Sequence, residues 1–186
     1  EGACVTDLVA STAFGGTDPM VETVGPLKLS ERVDIGLSSL ALRAGVARPS
    51  PFGLALPGPG EAAAGQSVRC FWAAPGQWMI EGQGRADEDF AAAVAAEAPG
   101  CSVTEQTDGW VIIDIEGPAK ALETLRERLI NLPASALAPG KATRTLMHHM
   151  SVFVIRRSDD RLTVMGMRML AGSLWHTLTE TAGRLR

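Results

Sequence analysis

The sequence has few of the residues and patterns that mark disulfide, metal and nucleophile sites. Its only cysteines, Cys4, Cys70 and Cys101, are widely spaced and form no CxxC pair, which argues against a disulfide framework and against a zinc site. Tyrosine is absent, and no serine, cysteine or threonine lies in a nucleophile motif such as GxSxG. These absences favour a reduced, cytoplasmic protein that carries no nucleophile of its own.

The sequence also lacks an excess of basic charge and a long apolar run. Its 17 basic and 21 acidic residues are interspersed and give a net charge of −4, so we expect neither nucleic acid nor a membrane surface as a partner. No apolar run approaches the length of a membrane span, and the first residues do not resemble a signal peptide. Hydrophobic residues reach 46%, which indicates either apolar surface reserved for a partner or simply an alanine-rich composition.

Composition changes near residue 65, and we divide the chain there. Residues 1–65 are predicted to form an extended N-terminal arm and a proline- and glycine-rich loop at 47–65, both wrapping on partner subunits. Within this part, an apolar stretch around 35–42 predicts a strand or a helix. The loop itself contains three large apolar residues, Phe52, Leu54 and Leu56. Because a solvated linker has no use for such side chains, they favour wrapping.

Residues 66–186 are predicted to form an α+β domain from a unit that recurs three times as strand, polar turn, strand and helix. The turns are expected at 75–77, 107–109 and 158–160. Asp87 is the expected N-cap of the first helix, whose buried face would be Phe90, Ala91, Val94 and Ala95. The second helix starts at Gly117-Pro118 and buries Leu122, Leu125 and Leu129, and the third carries Leu170, Leu174, Leu178 and Leu185. A short helix and a further strand are expected between the second and third units. The predicted fold is α+β, with antiparallel sheets, helices on one side and ferredoxin-like layers.

The sequence GQGRAD at 82–87 lies between a predicted strand and helix, where a dinucleotide fingerprint would lie. It supplies Gly82 and Gly84, but Asp87 takes the place of the third glycine. A carboxylate at the start of the helix would repel the pyrophosphate that the helix N-terminus should attract. An ordinary capped turn is therefore the favoured interpretation.

Four ionisable side chains remain candidates for chemistry. His148 and His149 lie in a predicted strand, where neighbours point to opposite faces, so they cannot easily share a metal. His176 has no HExxH-like spacing, and a structural or interface role is favoured for all three histidines. Asp114 shares a strand face with Trp110, Ile112 and Glu116. It is either a buried, tuned acid or base or a half-exposed residue at a subunit boundary, and the second is favoured.

Methionine and tryptophan admit two interpretations each, core filling or a patch that faces a partner. These residues are Met147, Met150, Met165, Met167 and Met169, with Trp72, Trp78, Trp110 and Trp175.

Several ordered blocks resemble the gamma subunit of heterotetrameric sarcosine oxidase. They are GPLKLSER at 25–32 with LRAG at 42–45, PGQWMI at 75–80, TEQTDGWVIIDIEGP at 104–118, INLPASALAPGKATRT at 130–145 and MRMLAGSLWHTL at 167–178. None is a catalytic signature, so the specificity of the resemblance comes from their order and spacing. The resemblance implies the fold of the folate-binding layers of the glycine cleavage T-protein.

The resemblance also implies a role. In that family the gamma chain stands beside alpha, beta and delta subunits, and the complex oxidatively demethylates sarcosine to glycine, passes the one-carbon unit to tetrahydrofolate and produces hydrogen peroxide. Its FAD, FMN, NAD, zinc and folate belong to the other subunits, so no catalytic, cofactor-binding or metal-binding residue is expected on this chain. Met150 and Ser151 stand where T-protein relatives place an acidic catalytic residue. Two alternatives remain open: a folate-binding, aminomethyltransferase-like module with ligand contacts of its own, and the gamma subunit of a complex acting on dimethylglycine or another N-methyl amine.

Overall fold

The computed structural model describes residues 10–185, which form eleven β-strands and three α-helices. The strands are β1 Val21–Val24, β2 Leu27–Glu31, β3 Ile35–Ala41, β4 Ala62–Ala64, β5 Val68–Ala74, β6 Gln77–Gln83, β7 Ser102–Glu105, β8 Trp110–Glu116, β9 Ala142–Met147, β10 Met150–Ser158 and β11 Arg161–Met167. The helices are α1 Phe90–Glu97, α2 Ala119–Leu129 and α3 Ala171–Gly183. Among these described residues, no helix is long and apolar enough to cross a membrane.

The strands form two antiparallel sheets that pack face to face. The six-stranded sheet has the order β1-β2-β8-β11-β10-β9, and the five-stranded sheet has the order β4-β5-β6-β3-β7. Helices α2 and α3 cover the outer face of the first sheet, while α1 and the part of the 47–65 segment around Phe52, Leu54 and Leu56 cover the outer face of the second. The predicted α+β class, with antiparallel sheets and helices, is confirmed, and each sheet carries its helices on its outer face.

Strand alternation explains these layers. In β8 the buried residues Val111, Ile113 and Ile115 join the core beneath α2 and α3, whereas Ile112 faces the second sheet. Helix α2 buries the predicted leucine stripe, Leu122, Leu125 and Leu129, against the same core. Apolar residues two apart in β8, and three to four apart in α2, therefore predicted these two elements correctly.

The two sheets are joined along one edge, where β4 lies beside β9. The Ala62 amide donates to the Gly140 carbonyl at 2.8 Å, and the Ala142 amide donates to the Gly60 carbonyl at 3.1 Å. The Lys141 ammonium and the Glu61 carboxylate form an ion pair of 3.1 Å across the same edge. These contacts fix the position of one sheet relative to the other at this edge.

One predicted hairpin is wrong. Strand β7 does not pair with β8 but with β3 in the other sheet, with Leu40 opposite Val103. The polar segment between them forms a single 3-10 turn, Thr107–Gly109, in which the Thr107 hydroxyl accepts a hydrogen bond of 2.9 Å from the Leu37 amide. That bond holds the turn to β3, so the chain crosses from one sheet to the other. The hairpins β5–β6 and β10–β11 are confirmed.

Helix α1 begins later than predicted. Asp89, not Asp87, is the N-cap, and its carboxylate accepts a hydrogen bond of 2.9 Å from the Ala92 amide. Of the predicted face, only Phe90 and Val94 are buried. The helix is short and contacts the sheet through one side only.

Residues 10–65 take a larger part in the fold than an extended arm would. Strands β1, β2, β3 and β4 pair within the two sheets, and the stretch predicted as strand or helix is the strand β3. In the 47–65 loop, Leu56 is buried, and the Trp78 indole donates a hydrogen bond of 2.8 Å to the Pro57 carbonyl. The loop's apolar groups thus contact the chain's own sheet, and wrapping on a partner subunit stays a prediction.

Replacement of Leu56 by alanine should release this loop. Leu56 is only 5% exposed, so Leu56→Ala should lower the free energy of unfolding by about 2 kcal/mol or more and speed proteolysis within 47–65. Leu146→Ala is the matched control, since Leu146 is 64% exposed and its loss should cost no more than about 0.5 kcal/mol. Urea unfolding and timed proteolysis measure both effects. Equal costs for the two variants would contradict the burial of the loop.

Candidate functional site

The layer between the sheets is ionic at one end, and Asp114 lies at the centre of the charges. Its carboxylate accepts hydrogen bonds from Arg32 Nη1 at 2.9 Å, from Thr163 Oγ1 at 2.5 Å and from the guanidinium of Arg161. Only 4% of Asp114 is exposed. The expectation of a half-exposed position at a subunit boundary is wrong, because the partner arginines from β11 and from the end of β2 enclose the carboxylate.

The network continues from Asp114 to the second sheet. Arg157 on β10 donates from Nε to Thr163 Oγ1 at 3.0 Å and from Nη2 to Glu81 on β6 at 2.6 Å. Glu81 is buried, like Asp114. We name the connected residues the intersheet ion network; they are Arg32, Asp34, Glu81, Asp114, Arg157, Arg161 and Thr163. Its hydrogen bonds therefore tie the two sheets together.

Electrostatics keep Asp114 ionised. Burial opposes its ionisation, but the hydrogen bonds from its arginine and threonine partners outweigh burial and hold the pKa of the Asp114 carboxyl below its usual value. Asp34 also has a lowered pKa, chiefly because it accepts hydrogen bonds from Arg32. Neither carboxyl holds a proton to donate at neutral pH, so this arrangement suits a structural role better than acid catalysis.

The other end of the intersheet layer is apolar. The Phe153 ring packs 5.0 Å from that of Phe71 and 5.5 Å from that of Trp110, between centroids. Beside the ion network the remaining cavity is about 10 Å³, which is room for about one water molecule. The interior between the sheets is therefore filled by side chains.

A cleft of about 330 Å³ opens at the surface beside the ion network. Arg32, Asp34, Trp110 and Arg168 line it together with part of the N-terminal segment. That volume is near the lower limit for a drug-sized ligand. The cleft combines an aromatic side chain with two arginines and with four acidic residues, Glu31, Asp34, Asp87 and Asp108.

The charges around this cleft also hold the N-terminal segment on the chain. Arg168 Nη2 donates to the carbonyls of Ser11 at 2.6 Å and Thr12 at 3.0 Å. The buried Glu31 carboxylate accepts from the amides of Ala13 at 2.8 Å and Met20 at 3.0 Å. One wall of the cleft is thus built by hydrogen bonds to the segment itself.

The glycines of GQGRAD serve packing. A Cβ on Gly82 would lie 2.6 Å from the Phe90 ring, and a Cβ on its cross-strand partner Gly36 would lie 2.5 Å from the Arg85 carbonyl oxygen. The N-terminus of α1 is also occupied, because the Glu105 carboxylate accepts from the Ala91 amide at 2.9 Å. With Asp89 already capping this helix, two carboxylates stand where a pyrophosphate would bind, and the favoured interpretation of a capped turn agrees with this geometry.

The histidine pair does not lie in a strand, and that expectation is wrong. His148 and His149 form the two-residue turn between β9 and β10, with φ of 45° and 71°. A two-residue hairpin that follows the strand twist needs positive φ at both central positions, which histidine adopts more readily than most residues. Both side chains are exposed. His176 is exposed on α3, with its Nε2 3.9 Å from the Glu180 carboxylate.

The sulfur-containing and tryptophan side chains divide between core and surface. Met147, Met165, Trp78 and Trp175 are buried, Met150, Trp72 and Trp110 are half-buried, and Met167 and Met169 are exposed. Burial, reinforced by the charge of Glu81, raises the pKa of the Cys70 thiol to about 12 and keeps it protonated. Cys4 lies outside the described residues. Within residues 10–185, no three histidine, cysteine or acidic side chains converge on a possible metal site.

Sequence reasoning missed the arginines and Glu81 of the ion network. A signal existed: Glu81 and Arg157 occupy alternate, inward-facing positions of strands that are otherwise apolar. Such a charge is expensive to bury alone, so each one indicates a partner of opposite charge on a facing strand. The sequence does not say which strand faces it.

Comparison with known proteins finds likeness of fold. No protein-family model matches the chain, and no curated protein matches it in sequence. A chain of the heterotetrameric sarcosine oxidase from Corynebacterium sp. U-96, in complex with pyrrole 2-carboxylate, matches with a TM-score of 0.68 and 16% identity over 89% of this chain and 90% of that one. Aminomethyltransferase T of the glycine cleavage system from Bartonella henselae matches with a TM-score of 0.57 and 20% identity over 80% of this chain. This chain spans only 44% of that protein's length.

Removal of the Asp114 charge should destabilise the fold. Asp114→Asn leaves the half-buried guanidinium groups of Arg32 and Arg161 without their shared anion and should lower the free energy of unfolding by about 3 kcal/mol. Asp108→Asn is the matched control, because that side chain is 99% exposed and its charge is worth at most about 0.5 kcal/mol. Urea unfolding at pH 7 compares the two.

The same pair of variants gives a pH signature. Because folding lowers the Asp114 pKa below its usual value of 3.8, its stabilising charge is fully present above that pH and is lost as the pH falls through the folded pKa. The loss of stability below about pH 4 should therefore be shallower in Asp114→Asn than in the wild type or in Asp108→Asn. Parallel curves for all three proteins would contradict the lowered pKa.

Gly82 should resist substitution for steric reasons alone. Gly82→Ala places a methyl group against the Phe90 ring and should cost about 1–3 kcal/mol of stability. Gly172→Ala, in α3 with no atom within 4 Å of the new Cβ, should instead stabilise by about 0.5–1 kcal/mol. Urea unfolding with and without NAD measures both variants. A stabilisation by NAD that Gly82→Ala abolishes would revive the dinucleotide interpretation.

Proposed function

We propose that this chain is a non-catalytic, structural gamma subunit of a heterotetrameric complex of the sarcosine oxidase type. The observation that carries the proposal is the fold likeness to a chain of such an oxidase over nine-tenths of both lengths. A match of that extent aligns most of this chain with most of the other. The blocks at 104–118 and 130–145, which resemble the gamma family, add support from the sequence.

The filled interior supports the non-catalytic part of the proposal. Asp114 and Glu81 are bound to arginines, the Cys70 thiol is buried and protonated, and the intersheet cavity is about 10 Å³. Ser151, where T-protein relatives place an acid, accepts a hydrogen bond of 3.1 Å from Arg144 Nε. A hydroxyl that accepts from a guanidinium offers no general base.

In this proposal the chemistry belongs to the complex. Its alpha, beta and delta subunits carry FAD, FMN, NAD and zinc and use tetrahydrofolate, and together they demethylate sarcosine in the cytoplasm and reduce oxygen to hydrogen peroxide. This chain contributes a rigid body against which they assemble. Substrate choice lies in the beta subunit, so a complex acting on dimethylglycine or another N-methyl amine would use the same kind of gamma chain.

A folate-binding module is the second candidate. The surface cleft of about 330 Å³ favours it, because Trp110 could stack on an aromatic ring while Arg32 and Arg168 face the carboxylates of a folate. The fold likeness to aminomethyltransferase T agrees with either candidate. Against it, Arg32 and Arg168 already bind groups of this chain.

Co-purification from the native host tests the two candidates. The tagged chain should elute with three further subunits, show the absorption spectrum of bound flavin and consume oxygen when sarcosine is added. The tag alone, expressed at the same level, is the control. Oxygen consumption with dimethylglycine but not with sarcosine would keep the structural role and change the substrate.

A colourless chain that elutes alone would overturn the structural proposal. Calorimetry with tetrahydrofolate then decides the second candidate. Binding that is weakened at least tenfold in Trp110→Ala would support a folate site in the cleft, whereas Trp72→Ala, a half-buried tryptophan outside the cleft, should leave binding unchanged.

A further inference from the structure

Arg69 differs from the other arginines between the two sheets. It lies on β5, is half-buried, and borders the same small cavity as Asp114, Arg157 and Thr163. Arg32, Arg157 and Arg161 each bind a carboxylate of the ion network. Among the described residues 10–185, no acceptor forms a hydrogen bond or ion pair with the Arg69 guanidinium.

Glu81, the carboxylate nearest to Arg69 in the sheet, binds another arginine. In the β5–β6 ladder Arg69 lies directly opposite Glu81, but the Glu81 carboxylate accepts its hydrogen bond from Arg157 at 2.6 Å. Burial and the neighbouring charge of Arg157 lower the pKa of Arg69, and Glu81 offsets only part of this effect. Arg69 is therefore the one arginine at this small cavity that has no carboxylate bound to it.

A pocket of about 80 Å³ lies beside this cation at the surface. Its lining includes Gln66, Ser67 and Gln83, whose amide and hydroxyl groups can donate hydrogen bonds, next to Arg69 itself. Glu81 also borders it, with its charge compensated by Arg157. Ligands of drug size need about 300 Å³ or more, so this pocket fits only a small anion.

We propose that this pocket binds a small carboxylate, held by the Arg69 guanidinium. The planar fork of an arginine matches the two oxygens of a carboxylate, and a partly desolvated, unpaired guanidinium gains more from such a contact than an exposed one. The carboxylate comes either from a free short-chain acid or from an acidic side chain of a neighbouring subunit. The site is separate from the 330 Å³ cleft, and its binding chemistry does not rest on the proposed function.

Acetate is the probe that tests the site. In thermal unfolding at constant ionic strength, replacement of chloride by acetate should raise the Tm of the wild-type chain along a saturating curve. Arg69→Gln should raise the half-saturating acetate concentration at least tenfold or abolish the response, and Arg69→Lys should weaken it. Arg43→Gln is the control, because Arg43 is exposed and outside the pocket, and it should respond as the wild type does.

A second readout concerns the protein without acetate. In chloride, Arg69→Gln should have a higher Tm than the wild type, because it removes the repulsion of Arg69 by Arg157 and Arg161. If Arg69→Gln lowers the Tm in chloride and keeps the acetate response, the proposal is overturned.

The purified complex separates the two sources of the carboxylate. An acetate response in both the isolated chain and the complex indicates a free acid. A response in the isolated chain alone indicates that a subunit's carboxylate fills the pocket in the complex. If acetate changes the Tm of the wild type and of Arg69→Gln equally, or changes neither, the pocket does not bind a carboxylate and the proposal is overturned. If no complex forms, the isolated chain still decides the proposal, so its failure remains distinct from that of the proposed function.

Discussion

The buried charge of Asp114 constrains the packing of the two sheets. An ionised carboxylate in this layer is tolerated only because three donors converge on it, and those donors come from the end of β2 and from two positions of β11. A slip of one residue in β8 would turn Asp114 toward α2 and α3 and bring Ile113 or Ile115 into the ionic layer. The register of β8 against β2 and β11 is therefore set by charge as well as by apolar burial.

The two ends of the intersheet layer hold the sheets together by different interactions. The aromatic contacts around Phe153 supply apolar burial, which is the larger source of stability, whereas the ion network costs desolvation and returns geometric specificity. The β4–β9 edge completes the closure by joining the sheets through backbone hydrogen bonds. The result is an interior with no space for a ligand of substantial size, so molecules that this chain recognises must meet its surface.

Local patterns were sufficient for much of this fold. Alternation in WVIIDIE and the leucine spacing of α2 depend on neighbours within a few residues, and both predictions are confirmed. The failures concern contacts distant in the sequence. Arg32 and Arg161 lie 82 and 47 residues from Asp114, and nothing local shows that they meet it. Likewise, β7 pairs with β3 and not with β8, its predicted partner. The positive φ values of His148 and His149 belong to a hairpin turn that strand propensity alone does not reveal.

The distribution of satisfied charges connects this architecture to function. Where an ionisable group is buried and fully paired, as Asp114 is, its protonation state is fixed. Its oxygens already accept hydrogen bonds and are not available to a substrate. Where a group is partly buried and its expected partner is bound elsewhere, as at Arg69, the fold retains an electrostatic imbalance that an external anion can relieve. The first condition agrees with the structural role proposed for this chain, and the second is the basis of the proposed carboxylate site. The second follows from one competition, in which Arg157 rather than Arg69 binds Glu81.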